Sequence, residues 1–264
     1  MKAKSLTAYQ LKWFAAAMML ADHAYKIFLP QILMWMSGTF HMETTLCYSI
    51  LTAFCGITTT SFFIFAFLCG ESCRYTCHKV RYIKNLFLFA VVSELPFQLM
   101  KQAMDGIPLH PYWGFSNVLA TLLLGVLACF GFEEASKRNL PWAGALLLLL
   151  CMGMAWLLQT DYHAYGVLAV FVSWFFKEKR QRLVALGAII FLLYGIQGLL
   201  AEFLSGMDWY ETPGKLSAAF FSMGTVWLLN QYGGKRGKNL KFFFYLFYPA
   251  HISLLVFLYV LLGH

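Results

Sequence analysis

Nine apolar stretches divide this chain, at approximately 11–29, 46–70, 84–101, 114–132, 141–159, 163–176, 183–204, 213–230 and 241–262. About 20 residues rising 1.5 Å each cross a hydrocarbon core of about 30 Å, so each stretch is a candidate transmembrane helix. The pattern predicts an all-α, polytopic helix bundle of about nine spans forming one domain over 1–264. The stretch 163–176 is short and the breaks on either side of it are tight, so eight or ten crossings stay open. Composition excludes the soluble alternative. Apolar residues make up 60% of the chain and charged residues 12%, against about 25% charged in an ordinary soluble domain.

The net charge of +8 points to nucleic acid only if the basic residues share a surface, and they do not. Seventeen of the 20 Lys and Arg fall in alternate gaps: the N-terminal region, 74–84, 137–138, 177–182 and 235–241. The other gaps hold only Lys26, Lys101 and Lys215. The positive-inside rule then places the N-terminus in the cytoplasm and His264 outside, and the charge becomes a topology signal with no nucleic-acid partner. The first stretch is interrupted by Asp22-His23 and followed by eight more, so it is expected to be a retained helix rather than a cleaved signal peptide.

Ionisable residues inside spans are costly and mark function. Asp22 and His23 lie ten and eleven residues beyond Lys12, Glu94 ten beyond Lys84, and His251 ten beyond Lys241. At 1.5 Å per residue all sit about 15 Å from the inner boundary, near the midplane. The bland alternative is a set of interhelical hydrogen bonds that fix packing. Asp22 and His23 are adjacent and point about 100° apart on a helix, so His23 needs its orienting partner from another helix. Glu94 is the expected partner, leaving the other ring nitrogen as a general base. Pro96 and Pro249 could each free a carbonyl or kink a helix beside this site.

Two basic clusters lie at the inner end, one from Arg74 to Arg81 and one at Gly233-Gly234-Lys235-Arg236-Gly237-Lys238. The second suits phosphates, because glycines allow close approach and cations pair with the charge; positive-inside charge is its plainer reading. At the outer end Asn117, Asp161 and Tyr162 could line an entrance, or could be helix caps and interfacial aromatics, with Asp161 as an N-cap. The seven Cys show no C-x-x-C or paired-His spacing, so no metal is expected. Cys69, Cys73 and Cys77, which share a helical face, are read as packing residues.

Several blocks in order resemble the TraX family: Met19-Leu20-Ala21-Asp22-His23, Phe63-Ile64-Phe65-Ala66-Phe67 running to Gly70-Glu71 and Arg74, Ser93-Glu94-Leu95-Pro96-Phe97, Asn117-Val118, Asp161-Tyr162, Gly234-Lys235-Arg236-Gly237, and Tyr245-Leu246-Phe247-Tyr248-Pro249 with His251. The region 30–60 carries none of them. The family includes the acetyltransferase of conjugative pilin, so the resemblance implies a multi-pass acyltransferase of the bacterial inner membrane with acetyl-CoA as donor. It further implies that Arg74, Lys235, Arg236 and Gly237 hold the donor's phosphates. His23, supported by Asp22 and Glu94, would be the base, and His251 or Tyr248 would stabilise the oxyanion. An acetyl-histidine route is the alternative to direct transfer. The acceptor, a peptide, pilin-like or cell-envelope amine or hydroxyl, would enter past Asn117, Asp161 and Tyr162. A proton-coupled transporter or flippase is the competing class, since it also uses midplane His and carboxylates. A non-catalytic assembly factor is the third.

Overall fold

The computed structural model describes residues 5–110, 114–197, 200, 203–204, 212–238 and 240–263. Among these there is no β-strand, only a single parallel bridge between Leu6 and Tyr232. The helices are α1 (Ala8–Ile27), α2 (Leu29–Phe40), α3 (Thr44–Thr58), α4 (Thr60–Tyr75), α5 (Lys79–Met104), α6 (Val118–Lys137), α7 (Pro141–Leu157), α8 (His163–Phe175), α9 (Lys179–Ile190), α10 (Thr212–Asn230) and α11 (Lys241–Leu261). The chain is a membrane protein: the continuous apolar run Thr44–Tyr75 and the helices Lys79–Met104, Val118–Lys137 and Phe242–Leu261 are long and apolar enough to cross a bilayer. Helices α7 and α8 are apolar but shorter. At 13 residues α8 spans about 20 Å, short of a full crossing at normal incidence.

Helix α1 packs against α4, α11, α3 and α5, and its first turn shows why it begins where it does. The Thr7 hydroxyl accepts from the Gln10 amide while the Gln10 side chain accepts from the Thr7 amide, a reciprocal capping box. The loop after α10 supplies two further acceptors, the carbonyls of Lys235 and Arg236, to the amides of Ala8 and Tyr9. These four bonds satisfy donors that a helix start otherwise leaves orphaned.

Three features depart from the sequence expectation. The second apolar stretch is broken at Thr59 into α3 and α4. The hydroxyls of Thr59 and Thr60 donate back to the carbonyls of Gly56 and Ile57, and such back-bonding competes with the helical ladder. A further helix, α2, fills the first outer gap, started by Pro30 in its first turn. The seventh stretch runs from α9 into a π-helical segment, Phe191–Gln197, and much of 198–204 lies outside the described residues. Helices α3 and α10 approach closely, because a Cβ on Gly56 would lie 2.2 Å from the Ala218 carbonyl oxygen.

Candidate functional site

A cavity of about 1070 Å³ runs beside α1. The mouth at the end that the charge pattern marks as inner is lined by Tyr9, Lys12, His78, Gly234, Arg236 and Lys238, the middle by Asp22, His23 and Tyr248, and the opposite end, outer on the same pattern, by Lys26, Lys101, Gln159, Thr160, Asp161 and His163. The sequence-marked depth and the cavity's middle therefore coincide at His23.

His23 is oriented by His251, not by Glu94. The His23 Nδ1 lies 2.8 Å from His251 Nε2, and His251 Nδ1 lies 2.6 Å from the Phe247 carbonyl oxygen. A carbonyl only accepts, so His251 Nδ1 donates to it; in a neutral ring Nε2 then accepts, and His23 Nδ1 donates. His23 Nε2 keeps its lone pair and has no hydrogen bond among the described residues. This chain of two imidazoles leaves one basic nitrogen on the residue that lines the cavity. Both nitrogens of His251 are spent and His251 does not line the cavity, so it positions His23 and is not an oxyanion donor. Tyr248 does line it, with its ring edge-on to both imidazoles at 6.3 and 5.9 Å. Its buried hydroxyl approaches the Val118 amide without meeting hydrogen-bond geometry.

Glu94 belongs to a separate knot. Its carboxylate accepts from the amides of Ser116 and Asn117, from the Ser116 hydroxyl, and from the side chains of Gln98 and Asn117, both at 2.5 Å. Glu94 is fully buried and away from the cavity wall. Asn117, expected at an entrance, is the N-cap of α6: its side-chain oxygen accepts from Leu119 and Ala120 while its nitrogen donates to Glu94 and to the Ala90 carbonyl. Every side-chain polar atom of this pair is hydrogen-bonded, and together they cap α6 and join it to α5.

Asp22 turns away from His23, as adjacency on the helix requires. Its carboxylate accepts from the Thr58 hydroxyl at 2.6 Å and from Lys26 at 2.7 Å. Lys26 and Thr58 were missed in the sequence. Lys26 looked like a loop cation, although its four-residue spacing from Asp22 is the signature of a helical ion pair. Thr58 carried no local signal, since only the tertiary fold brings it to α1.

Asp161 and Tyr162 do line the outer half. The Asp161 amide donates to the Ser116 carbonyl, and its own carbonyl accepts from the Thr121 hydroxyl. Burial pushes its carboxyl up to about 6, against the pull of Lys26. It is not the N-cap of α8; Tyr162 occupies that position with a left-handed backbone, φ 62°, held by stacking on Phe62 at 3.7 Å. Gly166 makes the fit possible, since a Cβ there would meet Thr121, Phe62 and Tyr162.

Arg74 is corrected as well. Its guanidinium donates to the carbonyls of Ser173, Trp174 and Phe176 at the end of α8, a C-terminal cap that takes it out of the cavity wall. In the glycine-rich loop the work is divided. Lys235 and Arg236 cap α1 through their carbonyls, Gly237 turns with φ 72° against Tyr9 and Thr7, and the side chains of Arg236 and Lys238, not that of Lys235, line the inner mouth. No group of His, Cys, Asp and Glu arranged to hold a metal is present among the described residues.

The helices and the site define a membrane protein with a buried, hydrogen-bonded histidine pair, one member of which lines a large cavity. Residues 7–260 match the TraX protein family, and the chain belongs to it. A relative, the probable fimbrial assembly protein FimC, serogroup H1, of Dichelobacter nodosus, is 28% identical over 257 residues, covering 94% of each chain. No solved structure matches the chain.

Proposed function

We propose that this protein is a multi-pass acetyltransferase of the bacterial inner membrane, passing an acetyl group from cytoplasmic acetyl-CoA to an amine or hydroxyl that enters from the outer side. The observation that carries the reading is the unprotonated Nε2 that the His251–His23 chain presents to the cavity. The relative's name, a fimbrial assembly protein, supports a pilin-like peptide as acceptor. The charge alternation in the sequence supports a cytoplasmic inner mouth.

The donor set fits. Lys12, His78, Arg236 and Lys238 at the inner mouth suit the phosphates of a nucleotide, and from Lys12 to His23 the helix rises about 16 Å. Acetyl-CoA supplies the acetyl group as an activated thioester. His23 Nε2 takes the proton of the acceptor's N–H or O–H as the acceptor's electron pair forms the new bond to the acyl carbon. His251 Nε2, accepting from His23 Nδ1, stabilises the imidazolium so formed, and the Phe247 carbonyl holds His251 in the tautomer that can do so. The Tyr248 hydroxyl donates a hydrogen bond to the oxygen on which negative charge develops. His23 then returns its proton from Nε2 to the departing sulfur as the C–S bond breaks, which restores the resting tautomer.

The test is radiolabelled acetyl-CoA with purified protein and a membrane extract, following thiol release and label transfer. His23→Ala is expected to reduce turnover by about 10²–10⁴-fold, the usual range for a general base, with donor binding retained. Turnover close to that of the unaltered protein removes His23 from the chemistry.

A further inference from the structure

A second concavity lies between α9 and α10, and none of its lining residues lines the cavity beside α1. It has a volume of about 710 Å³ and is lined by Lys179, Arg180, Gly187, Phe191, Val226 and Asn230 among others. We infer that this groove is a binding site for an anionic glycerophospholipid of the leaflet that meets residues 177–182. The inference does not depend on the catalytic reading, only on the chain lying in a bilayer.

Length, shape and charge converge on that ligand. From Arg180 to Phe191 the helix rises about 16 Å, close to the half-thickness of a hydrocarbon core of about 30 Å, so the groove is one leaflet deep. Its walls are aliphatic and aromatic, with Val184 and Phe191 more than half exposed. Gly187 leaves its floor low, since the nearest atoms to a Cβ there are Val226 Cγ2 at 3.3 Å and Met223 Cε at 3.5 Å. Only the end at the start of α9 is charged. Lys179 donates to the carbonyls of Asn230 and Tyr232 at 2.6 and 2.7 Å, which fixes the ammonium over the mouth and leaves its third N–H for a ligand. Arg180 is exposed beside it and can fork onto a phosphate. Basic pockets of this kind between membrane helices suit acidic lipid headgroups. A zwitterionic lipid would fill the apolar part and bring the same phosphate, but its tethered ammonium would offset that charge beside the two cations.

The full chain, purified in detergent and stripped of lipid, is mixed with phosphatidylglycerol or phosphatidylcholine of identical acyl chains, and retained lipid is counted by native mass spectrometry. The unaltered protein is expected to favour phosphatidylglycerol by about 25-fold, given roughly a fivefold gain for each of the two cations near the phosphate. Arg180→Glu is expected to bring the ratio near unity. Lys177→Glu, an exposed cation outside the groove, is expected to leave it unchanged, and Gly187→Leu to reduce retention of both lipids. Equal retention of the two lipids by the unaltered protein overturns the site, as does an equal loss in Lys177→Glu and Arg180→Glu, which reassigns the preference to diffuse positive charge. A dimer in light scattering that Gly187→Leu dissociates gives the groove to a second copy of the chain.

Discussion

The Glu94 knot and the His23–His251 pair are both buried polar clusters in a bundle of apolar helices, and they differ in what is left over. Glu94 receives hydrogen bonds from Ser116 and Asn117 and from Gln98 one turn along its own helix, while Asn117 caps α6 and holds Glu94 at once. Nothing there can accept a proton without losing a bond. The histidine pair is anchored at one end by the Phe247 carbonyl and open at the other, so it keeps one nitrogen for chemistry. In a low-dielectric interior a saturated cluster holds helices together, whereas a cluster with one unfilled position can react.

That contrast is broken most forcefully at Glu94. Glu94→Ala strands several buried donors at about 1–3 kcal/mol each; the expected result is loss of folded protein in detergent by size-exclusion chromatography, and a well-folded, weakly active variant would move Glu94 into the chemistry. At the other cluster the effect falls on rate. His251→Phe is expected to lower kcat by about 10²-fold with KM unchanged, and His251→Gln, whose amide oxygen can accept from His23 Nδ1, to recover part of it. Failure of the glutamine variant to exceed the phenylalanine variant argues that His251 only packs.

Two cations sharpen the comparison at the inner end. Arg74→Ala removes the cap of α8 and is expected to lower stability by about 1 kcal/mol without changing the donor's KM, whereas Arg236→Glu is expected to raise KM. The reverse pattern restores Arg74 to the donor site. The smallest effect concerns Asp161. A carboxyl held at about 6 in the fold, above the ordinary 3.8, binds its proton more tightly in the folded chain, so its contribution to stability is fullest below about pH 4 and declines as pH rises toward 6. The difference in thermal stability between Asp161→Asn and the unaltered protein is therefore expected to move in the variant's favour across that window, and a flat difference contradicts the burial of the acid.

Much of this was legible along the chain. Hydrophobic runs located the helices, because a span of lipid demands a minimum apolar length and tolerates few charges. That His23 and His251 lie level with one another followed from counting residues from the basic boundary, since the helical rise is constant. What counting could not provide was azimuth. Depth says that Glu94 and His251 are both level with His23, but which one reaches it depends on how α5 and α11 are rotated against α1. Arg74 illustrates the same limit, because a cation at the inner end of α4 serves phosphates or helix carbonyls according to what lies beside it, and the end of α8 lies beside it.

The sequence alone determined that the polypeptide is a bundle of apolar helices with titratable groups inside them, since lipid imposes length and charge rules on each segment independently. Only the tertiary structure decided that the two histidines hydrogen-bond to one another while Glu94 and Asn117 fasten helices. Hydrogen-bond partners from distant segments are chosen by helix rotation and packing, and no single segment encodes either.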